Sequence, residues 1–281
     1  MLEIDPQLDS QTDIGRYMSF ATFAALLRNK QLFFPALSTF EDQHEGSTTA
    51  LNAAFESGIL TGLDALANNF AGAAFGVGLT AEERERHRAE GRTKMAAPKY
   101  VDTVFGRLEQ TPDRPYARIM RSQRHWIDVS CWHKNTAESL TMWKIYGGSA
   151  ESVRISSTVG LLASSLTLPP SLGSYIAEVR YIDHDNDYFK TEHEASPALH
   201  KQKPYSYEQE VRAIVWNPSD SIFGDRSDKG RLATVDVRAL ITGVRVSPSA
   251  KPWFRELVNA TMKGELDGEA SQSEMARLPY P

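Results

Sequence analysis

A period of two in the apolar residues is the strongest constraint on this chain, and the stretch YSYEQEVRAIV, from Tyr205 to Val215, shows it best. Val211, Ala213 and Val215 fall on one face of an extended segment, and Glu208, Glu210 and Arg212, followed by Ile214 and Trp216, fall on the other. Two carboxylates and a guanidinium in one row suit two situations. The row is a solvated line of cross-strand ion pairs, or it is a carboxylate set held on a rigid edge at an active site.

Other runs repeat the pattern. RYMSF, WIDVSCW, SVRISST, YIAEVRYID, LATVDV and ITGVRVSP predict strands, and QLFFPAL predicts a short extended segment with an edge or irregular end at Pro35. Helices are predicted after Ser19, with Phe20, Phe23, Ala24 and Leu27 at helical spacing, over TAESLTMWKIY with Thr136 as cap and Gly147-Gly148 as stop, and over AKPWFRELVNATM. Residues 47–125 differ. An Ala- and Gly-rich stretch precedes the charged TAEERERHRAEGRTK, and KYVDTVFGRLEQ and ARIMRSQRHW also read as helices. The expected organisation is α+β: a first core segment at 14–46, a helical insertion at 47–125, a second core segment at 126–263 and a polar tail at 264–281 with little to pack.

Composition narrows the function classes. With 41% hydrophobic and 24% charged residues among 281, the chain has the balance of an ordinary globular protein. A net charge of −5 confines any nucleic-acid contact to a local basic patch. The single cysteine, Cys131, allows no internal disulfide and no four-cysteine zinc site. No window reaches ~18 uninterrupted apolar residues, and the acidic start lacks a signal pattern, so a cytoplasmic protein with no membrane partner is expected.

Candidate chemistry is sparse. GSAESVR and GAAFGVG lack the spacing of a phosphate loop or a dinucleotide fingerprint. HDNDYFKTEH could offer His184, Asp185, Asp187 and His193 to a metal or be a solvated loop; no helical pair of histidines supports the metal, and none is expected. Cys131 on an apolar strand is a small core residue or, with a base, a nucleophile. Arg118, Arg121 and Arg124 lie three apart, on a solvated helix face or one that contacts phosphate of a nucleotide or nucleic acid.

Taken together, RYMSF…LLRNKQLFFPALSTFEDQHEG, VSCW…TMWKIYGG and YEQEVRAIV resemble a bacterial family catalogued as domain of unknown function 2971. The match covers conserved positions between 16 and 46 and between 129 and 216. The loop departs from the family pattern at Glu41, Gln43 and His44, and 47–125 is not covered. The order of parts also resembles the ADP-ribosyltransferase fold, which implies a mostly antiparallel split sheet and NAD as the substrate. That resemblance implies that Arg16 binds the NAD phosphates, that Ser130 and Tyr146 mark the second strand and its helix, and that Glu208-Gln209-Glu210 carries the catalysis. Glu210 would face the developing ribosyl cation, and Glu208 would orient the acceptor, protein or nucleic acid. Tyr17, Trp143 and Tyr146 would frame the nicotinamide, and Arg212 belongs to the same ligand-binding set. Such enzymes serve as toxins or phage-defence effectors. Two alternatives from other classes stand beside this: a nucleotide- or nucleic-acid-binding sensor, and a nuclease holding Mg²⁺ with Glu45, Glu208 and Glu210.

Overall fold

A computed structural model describes residues 2–57, 80–134, 137–148 and 150–276. A two-residue strand, β1 (Glu3–Ile4), precedes the first long one, β2 (Asp13–Ser19). Ser19 ends β2 by capping the helix Phe20–Asn29: its side chain accepts from Thr22 N, and Phe23, Leu26 and Leu27 turn inward. Lys30 closes that helix in the left-handed region (φ 52°) and leads into β3 (Gln31–Pro35).

The insertion is only partly helical. Ala50–Glu56, Ala81–Ala96 and Tyr116–Gln123 are helices. KYVDTVFGRLEQ is not: β4 (Tyr100–Thr103) and β5 (Gly106–Glu109) pair as an antiparallel hairpin. The spacing of Val101, Val104, Phe105 and Leu108 fits a helix as well as a hairpin. Gly106 decides it by taking φ 87°, and Thr103 locks the turn, donating to Gly106 O at 2.8 Å and accepting from Phe105 N at 3.1 Å. Residues 58–79, most of the Ala- and Gly-rich stretch, lie outside the described residues.

The second half supplies β6 (Ile127–His133), β7 (Ser152–Thr158), β8 (Leu166–Thr167), β9 (Gly173–Glu178), β10 (Arg180–Ile182), β11 (His200–Gln202), β12 (Glu210–Trp216), β13 (Gly230–Val235), β14 (Gly243–Val246) and β15 (Ser271–Gln272). The large sheet runs β1-β9-β12-β6-β2-β7-β14-β15 and is antiparallel except at its two edge pairs. With β3-β13-β8 beside it and helices around it, the fold is mixed α/β. Over its described residues, 264–276, the polar tail is not loose: Ser271–Gln272 extend the sheet, and Ala270 and Ser273 are buried. Strand pairing uses backbone groups, which polar composition does not reveal. The short helix starting at Leu140 is capped by Ser139, while Thr136 lies outside the described residues.

Two features of the sheet place the site. The first is that β12 is buried on both faces. Val211, Ala213 and Val215 join the core that contains Phe23 and Phe254, and Ile214 and Trp216 join a second cluster with Leu37 and Val129. The Glu–Arg row is therefore not a wet surface. The second is a split. β2 pairs with β7 over seven positions and β6 with β12 over seven, but β2 and β6 meet only at Gly15 and His133. Beyond that pair the strands part, and the start of β6 is bridged instead to the end of β3, Ala36 to Asp128. Among the described residues no helix is long and apolar enough to cross a membrane.

Candidate active site at the sheet split

A cleft of about 690 Å³ opens where β2 and β6 diverge, a size that suits a small-molecule ligand. Arg16, Tyr17 and Met18 line it from β2, Val129, Cys131 and His133 from β6, and Tyr146 and Glu208 from the segments beyond.

Arg16 sits on the core side of β2, between Ile14 and Met18 in the alternation, both buried. Its guanidinium donates to Ser130 Oγ at 2.8 Å, and Ser130 also accepts from Trp132 Nε1 at 3.1 Å. Among the described residues no carboxylate pairs with Arg16. Desolvation lowers its pKa, a sign that the charge is held in an unfavourable place.

The opposite wall is charge-compensated. Glu45, from the loop after β3, meets Glu208 and Glu210 around the ammonium of Lys201 on β11, at 3.2, 2.7 and 3.4 Å. Arg212, fully buried, gives Nε to Glu210 at 2.7 Å, NH1 to Ala198 O at 2.7 Å and NH2 to Glu45. The three carboxylates of the nuclease alternative thus do converge, and the cation they surround is Lys201. Glu208 is not on the strand. It ends the 3-10 turn Lys203–Glu208, and Gln209, at φ 45°, turns the chain before β12 begins. Glu208 therefore reaches the cleft wall, whereas Glu210 and Arg212 stand one layer behind it.

Their environments separate the two glutamates. Burial pushes both carboxyls up. For Glu210 the charges of Arg212 and Lys201 prevail and hold it at about 2. For Glu208 burial prevails over Lys201, and its pKa stays raised. Tyr146 donates to Glu208 Oε1 at 3.0 Å and Lys201 to Oε2 at 2.7 Å, so the carboxyl is aimed as well as tuned.

The remaining predicted residues divide. Tyr17 and Tyr146 lie on the wall. Ser130 is buried and serves Arg16; Trp143 packs edge-on against Tyr17 at 4.9 Å with its indole nitrogen on Glu138 at 2.9 Å, away from the cleft. Cys131 is on the wall; burial raises its thiol well above the usual value, and it hydrogen-bonds Glu210. Arg118 and Arg121 are exposed on the insertion, but Arg124 is buried and donates to Asp42 O at 3.2 Å, so the three do not form one patch. The acidic loop at 183–187 closes on itself through Asp183 and Asp187, and the ring of His193 stacks on Tyr175 at 3.9 Å. Sequence reasoning missed Lys201 and His133 as members of the site. Lys201 lies in a stretch whose composition is that of a loop, and the only signal for His133 was its place at the end of the strand that holds Ser130.

Comparison with protein-family models, curated proteins and solved structures finds no match for this chain.

Proposed function

We propose that this cleft binds NAD and that the chain transfers its ADP-ribose to an acceptor or to water, with an architecture of the ADP-ribosyltransferase type. The observation that carries the reading is Arg16: a largely desolvated guanidinium on a cleft wall with no carboxylate partner among the described residues. A diphosphate supplies the missing charge through charge-assisted hydrogen bonds. Adjacency in the sheet supports it too. The strands that bear Arg16, Ser130 and Glu210 lie side by side as β2, β6 and β12, although more than a hundred residues separate the first from the second.

In this reading Tyr17 and Tyr146 frame the nicotinamide, and Glu208 stands beside the ribose. When the nicotinamide–ribose bond stretches, positive charge grows on C1′, and a carboxylate already oriented by Tyr146 and Lys201 stabilises it without reorganising. Glu210 acts one step back, holding Lys201 and Arg212 in place. Arg118 and Arg121 remain available for phosphate if the acceptor is a nucleic acid.

Nicotinamide release from NAD tests this, with protein and nucleic-acid acceptors present. Glu208→Gln keeps the volume and removes the charge, and should slow release by roughly a hundredfold to a thousandfold, ~3–4 kcal/mol in the barrier, with thermal unfolding little changed. A wild type that neither binds NAD nor releases nicotinamide would sink the proposal. Mg²⁺-dependent cleavage of nucleic acid, lost in the same variant, would favour the nuclease instead.

A further inference from the structure

Among the described residues His133 is the one imidazole on the cleft wall, and the sequence gives it no role. It ends β6 at the point where the sheet splits, opposite Gly15. Its ring is wedged between those of Tyr17 and Tyr146, with centroids at 5.9 and 5.4 Å. Nδ1 lies 2.9 Å from the backbone carbonyl of Glu208. A carbonyl oxygen only accepts, so Nδ1 carries the proton and Nε2 holds a lone pair. Among the described residues nothing donates to Nε2, yet Nε2 is not a sealed, orphaned atom as both ring nitrogens of His184 are. The lone pair thus belongs to a cleft-lining residue whose other nitrogen is fastened to Glu208.

We infer that His133 is the general base of the transfer, taking the proton of the acceptor hydroxyl or water on Nε2; this rests on the NAD reading above. The bonds balance. As the C1′–N bond breaks, its electron pair leaves with nicotinamide. The acceptor oxygen bonds C1′, and its proton passes to Nε2. The product is neutral nicotinamide, ADP-ribosylated acceptor and an imidazolium that returns its proton to solvent.

The surroundings suit that task. Burial lowers the imidazole to about 4, against the pull of the Glu208 carbonyl and the Glu210 charge, with Lys201 and Arg16 pushing the same way as burial. Tyr17 and Tyr146 are the other titratable groups against it, both raised by burial and neutral near pH 7. A base of that strength matches an ordinary carboxylate, sufficient for capturing a cation such as C1′, where the proton moves late. It is also unprotonated near pH 7.

The experiment compares wild type, His133→Ala and His133→Gln in ADP-ribose transfer and hydrolysis, with and without added imidazole. Both variants should lose at least about a hundredfold. Free imidazole should restore His133→Ala by about tenfold or more, and the wild-type rate should show no step near the ordinary histidine value of 6.5. Full rates in both variants, or a loss that imidazole does not repair, overturns the inference while an active wild type leaves the NAD reading standing. An inert wild type brings down both. Nitrogen-15 spectra of the imidazole give an arm independent of activity: a proton found on Nε2 instead of Nδ1 overturns the assignment.

Discussion

Two arginines of the same sheet face opposite fates. Arg212 is wholly buried, and its fork is spent on Glu210, Glu45 and the Ala198 carbonyl. Arg16 is desolvated too, but among the described residues it has Ser130 alone. A buried charge is tolerated when paired, and removing one partner costs far more than the pair contributes. Arg212 is therefore part of how the chain folds. Arg16 is a standing cost to the fold, and such a cost is intelligible where a ligand supplies the counter-charge. The same contrast separates Glu210, locked in the cluster, from Glu208, which the cluster presents to the cleft.

The sharpest way to break this comparison is to remove each cation. Arg212→Leu leaves Glu45 and Glu210 short of a partner in the interior and should destabilise the fold by about 3–5 kcal/mol in urea titration. If Arg212→Leu unfolds at the wild-type midpoint, the cluster is not structural.

Protonation probes the same interior. Burial lowers both His133 and His200 from 6.5 to about 4. Above pH 6.5 both states hold these rings neutral. As the pH falls from 6.5 to 4 the unfolded chain takes up protons that the folded one refuses, so stability is lost across that window, on the order of 3 kcal/mol for each ring. His200, stacked on Phe189 with Nδ1 at 2.6 Å from the Ser196 carbonyl, lies off the cleft wall. His200→Gln should flatten the decline without touching activity, and an unchanged pH profile of stability would contradict its neutral burial.

Arg16→Gln is expected to do the reverse of Arg212→Leu. Its unfolding free energy should stay within ~1 kcal/mol of wild type or rise, while NAD affinity measured by calorimetry falls by roughly ten- to a hundredfold, the worth of a hydrogen bond to a charged group. Destabilisation as large as that of Arg212→Leu would show the two arginines to be equivalent after all. The smallest effect belongs to Cys131→Ser. The thiol lies on the wall with its pKa raised by burial and by the Glu210 charge beside it, so it stays a thiol and turnover should stay within about threefold. A folded but inactive serine variant would make the sulfur a participant.

How much of this was legible depends on the range of the interaction. Local patterns were readable: the alternation in β2, β6 and β12, the Ser19 cap and the helix Pro252–Met262 all follow from neighbours a few residues apart. The hairpin at 100–109 was misread because four apolar residues fit two periods, and only the backbone of Gly106 chose between them. Glu208 was placed on the strand because alternation does not register the left-handed turn at Gln209. The cluster itself joins Glu45 to Lys201 and Arg212, residues more than 150 positions apart, and nothing in either local stretch announces the other. Burial of the Glu–Arg row was equally hidden, since one charged face reads alike whether water or protein covers it.

The two ends of the insertion meet. Ser38 N donates to Arg124 O at 3.1 Å, and the Arg124 side chain reaches back to Asp42 O at 3.2 Å, so the chain leaves the core and re-enters it at one doorway. Closing a loop across such a gap costs entropy only as the logarithm of its length, about 0.6 kcal/mol for each doubling. Closure entropy therefore sets little limit on the length of the excursion, even though Val104 and Asn52 anchor parts of it to the core. Segments could be lengthened, shortened or exchanged there over evolutionary time while the cleft below kept its walls, which makes this doorway the natural seam for grafting a foreign domain onto the scaffold.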